Sequence, residues 1–304
     1  MTGARLGAAI ALLIGSIVPA WAGPILYTVG ADVNGAPVSL IGMDAANSPS
    51  VATIVTPLGD GSIGFNGGLV GVGSLLYGIG NDSGNLATLY SFTPAGGSLT
   101  ALNSDFNTSG AATGFVFQNG LAAIGGTLYG IGFDSVGSSG EALFTIGGGS
   151  ASLVSSLSDL GGSYSALAYA ADQTMLYGIV VNGVNNEVQG DYLVSMNPNG
   201  SNFTVVANLS TLDGSATGTH TGGLLYTGGG SFFDVFTDPN SGNGQLETIG
   251  LNGQSATLVY DTGAPLLINH GLAEVTSTPE PSGFALMGVA LALLARWRRA
   301  RCKG

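Results

Sequence analysis

Between Gly23 and Thr278 this chain of 304 residues has no lysine, no arginine and no cysteine. The six basic residues are Arg5, Arg296, Arg298, Arg299, Arg301 and Lys303, and the single cysteine is Cys302. Lacking cysteine, the central segment cannot form a disulfide, so packing alone must hold it together. Lacking Lys and Arg, it has no cations to displace counterions from phosphate, which excludes nucleic acid as a partner and anionic lipid with it. Of the 18 acids only Glu280 lies outside this segment, which leaves 17 inside and a formal charge of −17. Charged residues make up 8% of the chain against the usual quarter, yet the hydrophobic fraction of 45% is enough for a packed core and argues against disorder.

Long apolar runs occur only near the ends. Arg5 is followed by an apolar stretch from Leu6 to Val18, then Pro19 and the small-x-small triplet Ala20-Trp21-Ala22. This order of basic residue, apolar run and cleavage triplet predicts a secretory signal peptide over residues 1–22; the run is too short, and too quickly ended by proline, for a buried helix. At the other end Thr278-Pro279-Glu280-Pro281-Ser282 precedes an apolar segment, Gly283 to Ala295, and a basic end over 296–303. Thirteen apolar residues are short for a span, but Trp297 and snorkelling arginines lengthen it. Arg296, Arg298, Arg299 and Arg301 then act as a membrane stop on the cytoplasmic side.

Pro279-Glu280-Pro281, the hydrophobic helix and the arginine cluster resemble, in that order, the PEP-CTERM sorting tail of exported Gram-negative bacterial proteins. The resemblance covers residues 278–304. It implies recognition by a membrane exosortase, removal near the Pro-Glu-Pro triplet, and delivery to the cell surface or exopolysaccharide matrix. Signal peptidase and an exosortase-type protease are the partners so implied, with extracellular polysaccharide as a further candidate.

The segment between, residues 23–277, is repetitive. A strand-like heptad, Leu/Phe-Tyr/Phe-x-Val/Ile-x-x-Asp/Asn, starts at Leu26, Leu76, Leu128, Leu176 and Phe232. After each comes a Gly/Ser/Asn-rich stretch and a second strand, centred on Leu40, Leu89, Leu143, Leu193 or Leu246, then a third. Short apolar runs led by Gly68-Leu69, Gly120-Leu121, Ala166-Leu167 and Gly223-Leu224 precede all heptads but the first, whose missing partner lies at the far end as Gly271 to Val275. Five units of four strands, one split between the ends, predict an all-β, five-bladed β-propeller in which a C-terminal strand closes the first blade. A β-solenoid is the rival, but its coils are usually shorter than fifty residues. No helical pattern of any length interrupts the domain.

With the strands of each blade labelled a to d from the channel outward, an acidic residue after strand b and another after strand d share one face of the disc. Asp32, Asp82, Asp134 and Asp238 end strand b, with Asn182 in the fourth unit; Asp60, Asp105, Asp159, Asp213 and Asp261 follow strand d. Glu141, Glu187 and Asp191 join them from the b–c loops, while Asp44 and Asp172 fall on the opposite face. These aspartates close turns by accepting backbone N–H groups, or they hold calcium, for which oxygen ligands are the abundant type here. His220 and His270, with Asn66 and Asn119 at comparable places, predict a polar ring at the channel mouth, a candidate ligand site.

Catalytic signatures are scarce: no cysteine nucleophile and no Gly-x-Ser-x-Gly elbow occur in the domain. The sequence therefore points to a non-enzymatic exported binding or structural protein. The alternative is an extracellular glycan-active enzyme using Asp261, Glu274 and His270 at the channel mouth.

Overall fold

A computed structural model describes residues 25–275 apart from 33–37, 46–52, 59–62, 66, 85, 96–98, 135–139, 148–149, 158–162, 182–189, 214–218, 239 and 252–255. The expected signal peptide and sorting tail both lie outside the described residues. Within them no helix is long and apolar enough to cross a membrane.

The chain folds into five four-stranded antiparallel blades. Blade 1 contains β1 (Ile25–Asp32), β2 (Ser39–Asp44) and β3 (Thr53–Pro57), and blade 2 contains β4 (Leu69–Val72), β5 (Leu75–Asn81), β6 (Ala87–Phe92) and β7 (Thr100–Asn103). Blade 3 is β8 (Phe115–Ile124), β9 (Thr127–Asp134), β10 (Glu141–Gly147) and β11 (Ser150–Ser156). Blade 4 is β12 (Ser163–Ala170), β13 (Met175–Val181), β14 (Tyr192–Met196) and β15 (Thr204–Asn208). Blade 5 is β16 (Gly223–Gly228), β17 (Ser231–Thr237), β18 (Asn243–Gly250) and the first part of β19 (Ala256–Glu274). Two short helical pieces interrupt the strands, a 3-10 turn at Gly110–Ala112 and α1 (Leu209–Asp213), neither of which the sequence reading anticipated.

The closing strand is not a separate element. β19 runs unbroken from Ala256 to Glu274, pairing first with β18 and then with β1, so blades 5 and 1 form one seven-stranded sheet. Its register sets Leu26 opposite Glu274, Tyr27 opposite Ala273 and Thr28 opposite Leu272, and the Thr28 hydroxyl donates to the Gly271 carbonyl at 2.6 Å. This closure pairs β1 on both sides and leaves it no open edge.

The repeat is exact enough to be read rung by rung. Leu69, Gly78, Tyr90 and Ala101 lie abreast across blade 2; Leu121, Gly130, Phe144 and Leu153 do so across blade 3. Leu167, Gly178, Val194 and Val205 form the matching rung of blade 4. In every blade the register of the third strand against the fourth shifts immediately after the same leucine: Leu40, Leu89, Leu143, Leu193 or Leu246. Each blade thus carries a β-bulge at one place, which adds the local twist a propeller blade needs.

Five buried apolar clusters hold the ring, and each lies between two neighbouring blades. Tyr164, Leu176 and Val194 of blade 4 pack on Ile131 and Leu143 of blade 3, for example, while Phe232 and Ile249 of blade 5 pack on Tyr177 and Ile179 of blade 4. A bulky side chain fully buried in such a layer contributes roughly 1.5–3 kcal/mol. Three of these layers share one device. Phe65, Phe117 and Tyr164, at the entry to the inner strands, lie against Gly78, Gly130 and Gly178, where an added Cβ would come within 3.3, 3.5 and 2.8 Å of the ring. Glycine there makes room for an aromatic plug.

Tyr164 departs from the phenylalanines only by a hydroxyl, which is buried and has no hydrogen-bond partner among the described residues. Burial, and secondarily the Glu141 carboxylate, push its ionisation far above the ordinary value of 10.0. The folded phenol stays neutral while the unfolded one ionises, so this residue's stabilising contribution is full below about pH 10 and is lost as pH rises beyond it. Tyr164→Phe should therefore stabilise the domain by about 1 kcal/mol at neutral pH and flatten the fall in melting temperature between about pH 9 and pH 11. Thermal melts across that range check both; a destabilised variant with an unchanged alkaline slope would refute the reading.

At the axis the inner strands touch backbone to backbone. An added Cβ on Gly120 would stand 2.5 Å from the Leu167 nitrogen, and one on Gly223 would stand 2.5 Å from the Gly271 carbonyl carbon. The space where Leu69, Leu121, Leu167, Leu224 and Leu272 converge has no room for a water molecule. The propeller is closed at its centre by leucines and glycines.

Candidate functional site

Blade 5 breaks the rung pattern. Its rung reads Leu224, Asp234, Glu247 and Leu258, so acids replace the glycine and the large apolar residue of blades 2 to 4. The aromatic plug is replaced as well: His220 stands three residues before Gly223, as Phe65 stands before Gly68 and Phe117 before Gly120. All three side chains are buried, His220 and Asp234 at 0% exposure and Glu247 at 2%.

The histidine Nδ1 lies 2.6 Å from Asp234 Oδ2 and 3.5 Å from Glu247 Oε1. Its ring packs on Phe236 with centroids 4.9 Å apart. Its backbone is fixed from blade 4. The Thr219 and His220 N–H groups donate to Asp191 Oδ2 at 2.8 and 3.0 Å, and the Ser165 hydroxyl donates to the His220 carbonyl at 2.6 Å. Blade 4 thus holds His220 still while β17 and β18 present the two carboxylates. Removing such groups from water costs several kcal/mol each, so the arrangement must be neutralised, by a proton on one acid or by a positive charge between them.

Asp191 belongs to a wider pattern of ties from one blade to the entry of the next. The Asn81 amide donates to the Phe117 carbonyl at 2.7 Å, and both Glu141 oxygens accept the Tyr164 N–H at 2.8 and 3.0 Å. Glu141 and Asp191 are buried, at 5% and 0%, so these two acids do not contribute to an exposed acidic face as the loop positions suggested. A carboxylate that accepts backbone N–H groups across a blade interface is a structural fastener.

Several of the remaining aspartates close turns. Asp82 accepts the N–H groups of Gly84 and Leu86 at 2.7 and 3.0 Å, and Asp238 accepts the Ser241 hydroxyl at 2.6 Å and the Asn240 N–H at 2.9 Å. Those bonds, the Ser241 hydroxyl first, hold the Asp238 carboxyl below its ordinary range. Asp105 takes a positive φ of 51° in its turn, and exposed Asp261 accepts the Asn243 amide at 2.9 Å. Asp134 ends β9, half-buried. On the opposite face Asp172 accepts the Tyr226 hydroxyl at 2.6 Å, which raises the ionisation of that phenol.

Asp60, Asp159, Glu187 and Asn66 lie outside the described residues, as do the side chains of Asp32, Asp44, Asp213, Asn119 and His270. So do Pro279, Glu280, Pro281, Arg296, Arg298, Arg299 and Arg301. Of the expected channel-mouth ring, His220 is sealed between blades 4 and 5 rather than open to a channel. Asp234 and Glu247 escaped the sequence reading, although the third place of the heptad carries glycine in three units and Asp234 in the fifth.

The fold and its inner layers define an all-β, five-bladed propeller. No family model matches this sequence, and no curated protein does. Among solved structures, the chain is similar to one in a nidogen/laminin complex, at 11% identity and a TM-score of 0.48, covering 83% of this chain and 99% of that one. It is also similar to an α-L-arabinofuranosidase from Clostridium thermocellum, at 14% identity and 0.47, covering 76% and 84%. A putative TolB from Agrobacterium tumefaciens matches at 10% identity and 0.42, covering 83% and 91%. At these scores the likeness carries no inference about activity.

Proposed function

We propose that this is an exported, non-enzymatic propeller, a binding or structural component of the cell surface or exopolysaccharide matrix, sorted by an exosortase-type system. One observation carries the reading: every lysine and arginine lies in the two terminal segments, in the order expected of a leader and a sorting tail, flanking a domain that has none. The domain's geometry supports a non-enzymatic role. The side-by-side carboxylates Asp234 and Glu247 are sealed from substrate. The register sets Glu274 opposite Leu26 and Leu266 opposite Asp32, so Glu274 stands about 20 Å along β1 from the end where Asp261 lies. Glycoside hydrolysis through a carboxylate pair needs separations of roughly 5–9.5 Å. The alternative, a glycan-active enzyme at the channel mouth, would have to draw its acids from elsewhere.

The sorting reading is tested in the native host. Glu280→Gln should block processing and leave a larger, membrane-held form, whereas replacing Arg296, Arg298 and Arg299 with serine should release the chain from retention. Unchanged size and location in both variants would sink it.

A further inference from the structure

We infer that His220 Nδ1 and the carboxylates of Asp234 and Glu247 form a closed structural site for a divalent transition-metal ion of the zinc type, set between blades 4 and 5. The three residues each offer a ligand atom, and these atoms lie within 4.8 Å of one another. An imidazole nitrogen with two carboxylates is a donor set that zinc accepts, and one carboxylate binding through both oxygens would complete four-coordination in a closed site. Calcium fits poorly, because it takes six to eight oxygen ligands and one of the three donors here is nitrogen.

Charge is consistent with a metal. With both acids ionised the site carries −2 beside a neutral imidazole and −1 beside an imidazolium, both costly at 0 to 2% exposure; it reaches neutrality either by proton uptake on a carboxylate or by binding a cation. A divalent ion bound to neutral His220 brings the sum to zero. The spacing is also near what such an ion requires. Two ligands at about 2.1 Å from a tetrahedral ion stand roughly 3.4 Å apart. His220 Nδ1 and Glu247 Oε1 already stand at 3.5 Å. His220 Nδ1 and Asp234 Oδ2, at 2.6 Å, share a hydrogen bond that the ion would replace by opening the pair less than about 1 Å.

The surroundings are built for a fixed ligand. Asp191 and Ser165 fix the His220 backbone and Phe236 packs on its ring, so the imidazole is held in place beside the two carboxylates. The repeat supplies an independent comparison: the same rung is filled by a ring and a glycine in blades 2, 3 and 4, so blade geometry alone does not call for acids here. Burial makes the site structural: an ion there would tie the entry segment of blade 5, itself bonded to blade 4, to β17 and β18 in a domain without a disulfide.

The experiment uses the full-length protein, stripped with chelator and titrated with Zn2+, with equal ionic strength of NaCl and with Ca2+ as comparisons. One zinc per chain should bind, and at a hundredfold excess over Kd the melting temperature should rise by roughly 5–10 °C. Neither NaCl nor Ca2+ should reproduce that shift. The triple variant His220→Phe, Asp234→Gly, Glu247→Phe copies the Phe117, Gly130 and Phe144 arrangement of blade 3. It should melt cooperatively and lose both the zinc and the shift. Should that variant fail to fold, Co2+ added to the wild-type chain decides: intense visible bands of four-coordinate Co2+, abolished by Asp234→Asn, support the site. Absence of uptake by the wild type, equal shifts from Ca2+, a triple variant that keeps its zinc, or only the weak spectrum of six-coordinate Co2+ would overturn it.

Discussion

Gly271→Ala is expected to lower the stability of the propeller by about 3–5 kcal/mol. Gly271 has a φ of +128°, which alanine adopts only with strain, and a Cβ there would stand 2.6 Å from the Leu69 Cβ. Leu69 cannot give way, because β4 is bonded to β5 behind it and the Gly271 N–H itself is tied to the Gly222 carbonyl. Strain and overpacking together cost about 3–5 kcal/mol. That is a large share of the 5–15 kcal/mol by which domains are usually stable. Gly73→Ala is the matched control: its φ is +61° but nothing lies within 4 Å of the added methyl, so it should cost only about 1 kcal/mol. Urea unfolding of the two variants separates the effects. Equal losses would mean that the close approach of the inner strands is not what the glycine serves.

Ending the chain before Gly263 should have a still larger effect. It removes the part of β19 that pairs with β1 from Leu266 to Glu274, leaving one side of β1 unpaired and the interface between blades 1 and 2 without Ala273. An apolar strand edge of that kind is a template for association with other chains. The truncated protein should appear as soluble aggregate or precipitate by size exclusion, whereas a chain ended after Val275 should remain monomeric or no worse than the full length. A monomeric, cooperatively melting truncation would show that the ring does not depend on this closure.

Much of the architecture was legible because the repeat is carried by residues with a single physical role. The heptads fall on β1, β5, β9, β13 and β17, and the leucines at 40, 89, 143, 193 and 246 mark the bulge of each third strand. Boundaries were less legible where small polar residues lead into a strand: β8 begins at Phe115, five residues ahead of Gly120. The candidate site was the least visible. A histidine in a Gly/Ser/Thr-rich stretch reads as a loop residue, and only the register, which sets Asp234 opposite Glu247 beneath it, reveals that three titratable groups meet. Glu141 and Asp191 were misplaced for a related reason. Position after a strand says which face a residue approaches, but not whether its carboxylate turns inward to the next blade's N–H groups.

The unbroken strand β19 also sets a timetable. Thr28 and its partner Gly271 are separated by 243 residues, so nearly the whole domain must be synthesised before β1 finds its inner neighbour. At typical elongation rates of about 5–20 residues per second, that interval is roughly 12–50 s, during which blade 1 cannot be completed. Contacts this distant in sequence form late and slowly. A chain that cannot lock its ring until its last strand arrives remains open during its own production, which is the condition under which a polypeptide can still be threaded through a narrow pore.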